Sequence, residues 1–154
     1  VRLLSQWMPG ITALRDVSAE DLKKYGDQLP DTVRMRAEHV VSENDRVVRS
    51  RDVLNAGDFE EFGRLMNASH DSARDLYEVS CAELEAMVEV CRAAPGALSA
   101  RLAGAGFGGC TVSLVKDQYV EQFVSVASAA YEEKTGLTPS MYVCTAEDGA
   151  SVVG

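Results

Sequence analysis

The stretch Arg101-Leu-Ala-Gly-Ala-Gly-Phe-Gly-Gly-Cys-Thr-Val-Ser-Leu-Val115 holds a glycine-packed turn between two apolar runs that both read as strands. Four glycines, Gly104, Gly106, Gly108 and Gly109, fall inside six positions. That density calls for a backbone with positive φ angles, or for a place where another chain, loop or phosphate approaches closer than a Cβ permits. Gly104, Gly106 and Gly109 satisfy the pattern G-x-G-x-x-G. A dinucleotide fingerprint must open a helix, however, and here Cys110 to Val115 follow, β-branched and apolar. A protein-kinase glycine loop does lie between strands, but no H-R-D or D-F-G follows Gly109. A tight hairpin whose glycines only relieve strain is the plain alternative.

Around this hairpin the chain reads as helices. Ser18 with Asp21 three positions on opens a short helix through Leu22 and Tyr25. From Asp31, Val33, Ala37, Val40, Val41, Val47, Val48 and Leu54 recur at three- and four-residue steps, predicting a long amphipathic helix to about Gly57. Asn44 interrupts that stripe and calls for a hydrogen-bond partner. The arginines 34, 36, 46, 49 and 51 read as a solvated face paired with Glu38, Glu43 and Asp52. Asp58 caps the next helix, whose inner side is Phe59, Phe62, Leu65, Met66, Ser69, Ala73 and Leu76. Ser80 with Glu83 predicts another capping box, opening a helix on Leu84, Met87, Val88 and Cys91 that Pro95-Gly96 closes. After the hairpin, Asp117 reads as the cap of a helix through Phe123, Ala127 and Tyr131, ending at Gly136. Met141 to Cys144 reads as a last strand, and Glu147 to Gly154 as a tail without clear structure. The expectation is an α+β fold, with helices on one face of a small, mostly antiparallel sheet.

The 154 residues are the length of one domain, with residues 1–30 a connector plus first helix and 31–154 the core. The chain begins at Val1 and not Met, which reads as a piece of something longer. With 46% apolar and 25% charged residues it has an ordinary globular composition, and no apolar run reaches the ~20 residues of a membrane span. The net charge of −9 argues against nucleic-acid binding, which draws on a basic face. It also means that any phosphate bound here needs a metal ion, a local Arg or Lys, or aimed backbone N–H groups. Cys81, Cys91, Cys110 and Cys144 lie far apart with no C-x-x-C, so they read as reduced core residues and not zinc ligands, in keeping with a cytoplasmic protein.

Site chemistry is thin elsewhere. His39 and His70 are the only histidines and read as hydrogen-bonded, partly buried imidazoles. A nucleophilic triad would need an exposed Ser or Cys on a sharp turn beside one of them, and Cys110 qualifies only loosely. Asp71, Asp75 and Glu78 form a small acidic set that a solvated face also explains. On residue chemistry alone the glycine loop could receive a phosphate, a sugar or a neighbouring domain, and the rival from another class is a stand-alone α+β binding module that uses the hairpin to dock a partner or a small effector.

Two segments taken together are more specific. Arg101 to Val112 resembles the third motif of the galactokinases, within the superfamily of galacto-, homoserine, mevalonate and phosphomevalonate kinases. Met66-Asn-Ala-Ser-His-Asp-Ser-Ala-Arg-Asp-Leu-Tyr-Glu-Val-Ser-Cys-Ala-Glu-Leu84 resembles the galactokinase segment that precedes it. The helix Arg36 to Arg46 and the stretch Ala13 to Ser18 match in order, so the resemblance runs from about Ala13 to Cys144. Ala73 stands where the family pattern has Leu, and Glu85 where it has Asp. The family's G-R-x-N-L-I-G-E-H and G-L-S-S-S-A segments do not occur. The resemblance therefore implies the ferredoxin-like C-terminal domain of a two-domain kinase that phosphorylates galactose with ATP and magnesium. It places the catalytic Asp, its neighbouring Arg and the metal contacts upstream, with no catalytic or metal residue in this chain. Gly104, Ala105, Gly106, Phe107, Gly108 and Gly109 would face the ATP and sugar cleft. Missing its other half, the chain would be inactive and would leave an interdomain face uncovered, through which two copies could pair. A related kinase for N-acetylgalactosamine or arabinose fits the same motifs.

Overall fold

The computed structural model describes residues 1–149, 151 and 152; Ala150, Val153 and Gly154, in the tail expected to lack structure, lie outside the described residues. Helix α1 spans Ala19–Tyr25, α2 Asp31–Asn55, α3 Phe59–Ser72, α4 Ala82–Ala93 and α5 Val120–Thr135. Strands β1 (Ala97–Ala103) and β2 (Cys110–Val115) form one antiparallel hairpin, in register from Ser99↔Leu114 to Ala103↔Cys110. The α+β expectation and its glycine hairpin hold.

Local chemistry sets most of the boundaries. Ser18 and Asp21 exchange side-chain bonds at the start of α1, each satisfying a backbone N–H that the first turn leaves free. Asp58 accepts the Glu61 N–H at 2.9 Å to open α3. Gly136, in the left-handed region at φ 72°, ends α5.

The segment before α2 packs on that helix's first half. Leu4, Val17, Leu22 and Leu29 are buried with Ala37 and Val41 in one cluster, rimmed by Trp7 and Tyr25, whose rings stack 6.4 Å apart. A second cluster joins Val88 and Cys91 of α4, Ala100 of β1, and Phe123 and Ala127 of α5. Each large side chain so buried is worth ~1.5–3 kcal/mol.

Helix α3 lies against the outer edge of β1, and three of its residues meet three alternate residues of the strand. Gly63 sits so close to the Leu98 carbonyl that a Cβ there would come within 2.7 Å of the oxygen. Asn67 Oδ1 accepts the Ala100 N–H at 3.1 Å, and His70 Nδ1 accepts the Leu102 N–H at 3.2 Å. A strand repeats every two residues and a helix face every three or four, so these two ladders match over two turns of helix. The edge donors that would otherwise invite another strand are thereby satisfied by side chains. Arg92 of α4 ties the same seam together through the carbonyls of Ala100 and Asn67 and the Asp71 carboxylate.

Several expectations are corrected. Met141 to Cys144 forms no strand: Tyr142 is 85% exposed and Val143 66%, and only Met141 reaches the core beside Phe123. Ser80 caps nothing; its hydroxyl bonds Glu85, and α4 starts after Cys81, which makes no side-chain cap. Asp117 opens a 3₁₀ turn, Asp117–Tyr119, and is not a cap. Asn44 is exposed and makes no side-chain bond among the described residues, so it interrupts a stripe that is itself partly in solvent. Cys91 is buried and Cys81 half-buried, but Cys110 and Cys144 are exposed and not core residues. Arg46 and Arg51 pair with Glu43 and Asp52 as expected, whereas Arg36, Arg49 and Arg34 reach Glu78, Glu61 and Asp27.

Candidate functional site

Between the last ladder pair, Ala103↔Cys110, the chain takes six residues to reverse direction. Five of them have positive φ: Gly104 (83°), Gly106 (83°), Phe107 (59°), Gly108 (136°) and Gly109 (95°). This is far more left-handed backbone than a two-residue hairpin turn requires. One glycine explains itself by contact. A Cβ on Gly106 would overlap the Val79 carbonyl oxygen, and the Phe107 N–H donates to that oxygen at 2.6 Å. The loop is therefore docked on the chain between α3 and α4, bringing together the two segments singled out in the sequence. A Cβ at Gly104, Gly108 or Gly109 would meet nothing within 4 Å, so these positions answer to torsion or to an approach from outside. Ala105 is exposed and the Phe107 ring is 73% exposed.

At the root of the loop a cleft of about 720 Å³ opens between α2, α3 and the hairpin, with Gly104 and Ala103 at its edge. Val47, Leu54, Phe62, Met66 and Val112 make its walls apolar. Its charged lining is Glu43, Arg46, Arg51 and Arg101. Burial works against the Glu43 charge, but the Ser69 hydroxyl at 2.6 Å and the Arg46 guanidinium hold the carboxyl below the usual carboxylate range, with Arg101 adding to the pull. Sequence reading missed this group because Glu43, Ser69 and Arg101 lie on three separate elements. The face around the cleft stays open: Val47 is 67% exposed, Val112 46% and Leu54 41%.

The other candidates make their contacts within the fold. His70 is fully buried; its Nδ1 serves β1, while Nε2 lies 3.1 Å from Glu85 Oε1 without the alignment of a hydrogen bond. Burial lowers its pKa from the ordinary value, Glu85 opposing and Arg92 reinforcing the effect. His39 contacts the Ser72 hydroxyl at 2.8 Å and stacks on Tyr77. Asp71, Asp75 and Glu78 are all ion-paired, to Arg92, Arg74 and Arg36. Cys110 has neither histidine among its hydrogen-bond partners. Among the described residues no group of three His, Cys, Asp or Glu side chains is placed to hold a metal, and no helix is long and apolar enough to cross a membrane.

Known proteins with similar sequences and folds agree in kind. A galactokinase of Roseiflexus sp. (strain RS-1) is 50% identical over 153 residues, covering 99% of this chain and 39% of the relative. A galactokinase of Chloroflexus aggregans is 47% identical over the same shares. The crystal structure of Lactococcus lactis galactokinase complexed with galactose superposes with a TM-score of 0.85 at 37% identity, over 90% of this chain and 36% of that one. L. major mevalonate kinase in complex with R-mevalonate matches at TM-score 0.57 and 32% identity, over 82% and 37%. The chain thus spans roughly two fifths of the length of the relatives it matches. Residues 50–133, from the end of α2 through the hairpin into α5, match the family model of the GHMP kinases C terminal, and the chain belongs to that family.

Proposed function

We propose that this chain is the C-terminal unit, residues 1–154, of a galactokinase that transfers the γ-phosphoryl group of ATP to the C1 hydroxyl of galactose. The observation that carries this reading is the seating of the glycine loop, through Gly106 and Phe107, on Val79 of the Met66–Leu84 segment. The two motifs most specific to galactokinases are thus one physical unit at the mouth of an open cleft, and relatives 50% and 47% identical to this chain are themselves named galactokinases.

The residues of the loop suit an anionic neighbour. Its glycines leave the backbone uncovered on the outer side, and outside the hairpin ladder the Phe107 N–H is the loop's one donor with a backbone partner among the described residues. Gly104 to Gly109 would stand against the phosphates of ATP and the sugar, with N–H groups aimed at the charge that develops on the transferring group. ATP bound there supplies the phosphoryl group and the leaving ADP. Magnesium would bridge the phosphates of ATP, and the resemblance puts its protein ligands outside this chain, leaving the chain a positioning role in the reaction. Phosphoryl transfer depends chiefly on positioning and charge stabilisation, so one wall of a cleft turns nothing over.

The test is phosphorylation of galactose, N-acetylgalactosamine and arabinose by the full-length protein and by residues 1–154 alone. Galactose 1-phosphate from the full-length protein, and no product from the isolated chain, is the expected result. Turnover by the isolated chain, or preference for another sugar, overturns the corresponding part of the reading.

A further inference from the structure

We infer that Arg36 is a positioning residue for the glycine loop, acting on it through the distorted turn that ends α3; this rests on the reading of Gly104 to Gly109 as a wall of the cleft. Beyond Ser72 the helix widens into a π turn, Ala73–Tyr77, closed by the Glu78 N–H on the Ala73 carbonyl. Such turns have poorer bond geometry than the α-helix and recur at functional sites. The turn ends on Glu78 with φ 57° and ψ 44°. Among the described residues only two non-glycines have positive φ, Glu78 and Phe107. They lie on either side of a single contact: Val79, directly after Glu78, presents the carbonyl that the Phe107 N–H bonds. A left-handed non-glycine costs ~1–2 kcal/mol and persists only where its surroundings hold it.

What holds Glu78 is Arg36. Its guanidinium donates to the Leu76 carbonyl, left free at the end of the turn, and to the Glu78 carboxylate. Its charge also stands 5.9 Å from the Tyr77 ring, whose other contact is the His39 ring at 4.6 Å. His39, one helical turn on from Arg36, reaches the Ser72 hydroxyl at the opposite end of the turn. Two side chains on one face of α2 thus brace the turn at both ends. A planar fork can serve a carbonyl and a carboxylate together, which a lysine ammonium on a flexible stem does poorly. With Arg36 gone, Glu78 is free to leave the left-handed region, the Val79 carbonyl turns, and the loop loses its anchoring bond while no group facing a ligand has been changed.

The test uses the full-length protein as wild type, Arg36→Gln, Arg36→Lys and, as a control on the same helix, Arg49→Gln, which removes only the exposed pair with Glu61. Two quantities are read: amide exchange at Phe107 against Ala100 and Leu102, and steady-state kinetics with galactose and ATP. For Arg36→Gln, Phe107 exchange should rise ~10-fold or more with Ala100 and Leu102 unchanged, as local opening without global unfolding does. In the same variant kcat should fall ~10- to 100-fold with both KM values within ~3-fold, the pattern of a misplaced but intact site. Arg36→Lys should recover little, and Arg49→Gln should alter neither readout. Unchanged Phe107 exchange, or a rise shared equally by Ala100 and Leu102, overturns the inference. So does faster loop exchange with normal kcat. If the wild type phosphorylates no sugar, the functional reading fails, while the exchange measurement still decides whether Arg36 holds the loop.

Discussion

The Leu102 N–H donates to Nδ1 of His70, an imidazole with no exposed surface, and two residues earlier on the strand the Ala100 N–H donates to Asn67. Helix α3 therefore completes the edge of β1 as a third strand would, and the hairpin carrying the glycine loop is held to the body of the protein by side chains. His70 must keep Nδ1 unprotonated to do this, so its proton sits on Nε2 and a second proton would break the bond.

Stability is accordingly expected to fall on mild acidification. Burial pushes both His70 and His39 below their ordinary value of 6.5, so the unfolded chain takes up protons that the folded chain refuses. Their contribution is fully present above about pH 6.5 and is lost as pH falls from there towards their folded values. Thermal unfolding between pH 7.5 and 5.5 should show a declining midpoint, in a range where carboxylates contribute little. His70→Gln should be less stable throughout, by ~1–3 kcal/mol for a buried donor left imperfectly paired, and should show a flatter pH profile. An equal slope in the variant would mean that His70 is not the titrating group.

Gly63→Ala sets two effects against each other. Alanine in a helix interior gains ~1 kcal/mol over glycine, but here the new Cβ meets the Leu98 carbonyl, backbone that cannot move aside. Overpacking of this kind costs ~1–3 kcal/mol, and the displaced helix would also stretch the bonds of Asn67 and His70. We expect a net loss of stability in denaturant titration; a gain would show that α3 can shift on β1 without penalty.

Gly106→Ala tests the seating of the loop. Strain at φ 83° costs ~1–2 kcal/mol, a modest shift in melting temperature, yet the added methyl overlaps the Val79 carbonyl and must unseat the loop. In the full-length protein kcat is expected to drop ~100-fold, since small misplacements near a reacting group have effects of that size. Normal kcat would make the loop a purely structural turn.

The open apolar face around Val47, Leu54 and Val112 predicts self-association when residues 1–154 are isolated. Sedimentation should show mass rising with concentration, and Val47→Glu with Leu54→Glu should return it to that of one chain. A monomer at all concentrations would show this face to be tolerated in water.

Much of the architecture was legible in local sequence. Three-to-four spacing marked α2 and α5, the oxygen side chains of Ser18 and Asp58 marked helix starts, and crowded glycines between β-branched runs marked the hairpin, because each of these signals acts within one turn of backbone. Other features depended on what lies across the fold. Met141 to Cys144 has strand-like residues, but it stands across a pocket from the outer edge of β2 without forming ladder bonds to it, a separation that residue type alone does not set. The π turn has no periodic signature, since it is stabilised by Arg36 and His39 from 30 to 40 residues away. His70 could be read as a hydrogen-bonded, partly buried imidazole, but that its partner, and that of Asn67, is the edge of β1 came only from the fold. The glycine loop could be recognised from its composition; its seat on Val79 and its tie to Arg36 came from packing, because hydrogen bonds between distant segments leave no mark on the spacing of residues within either one.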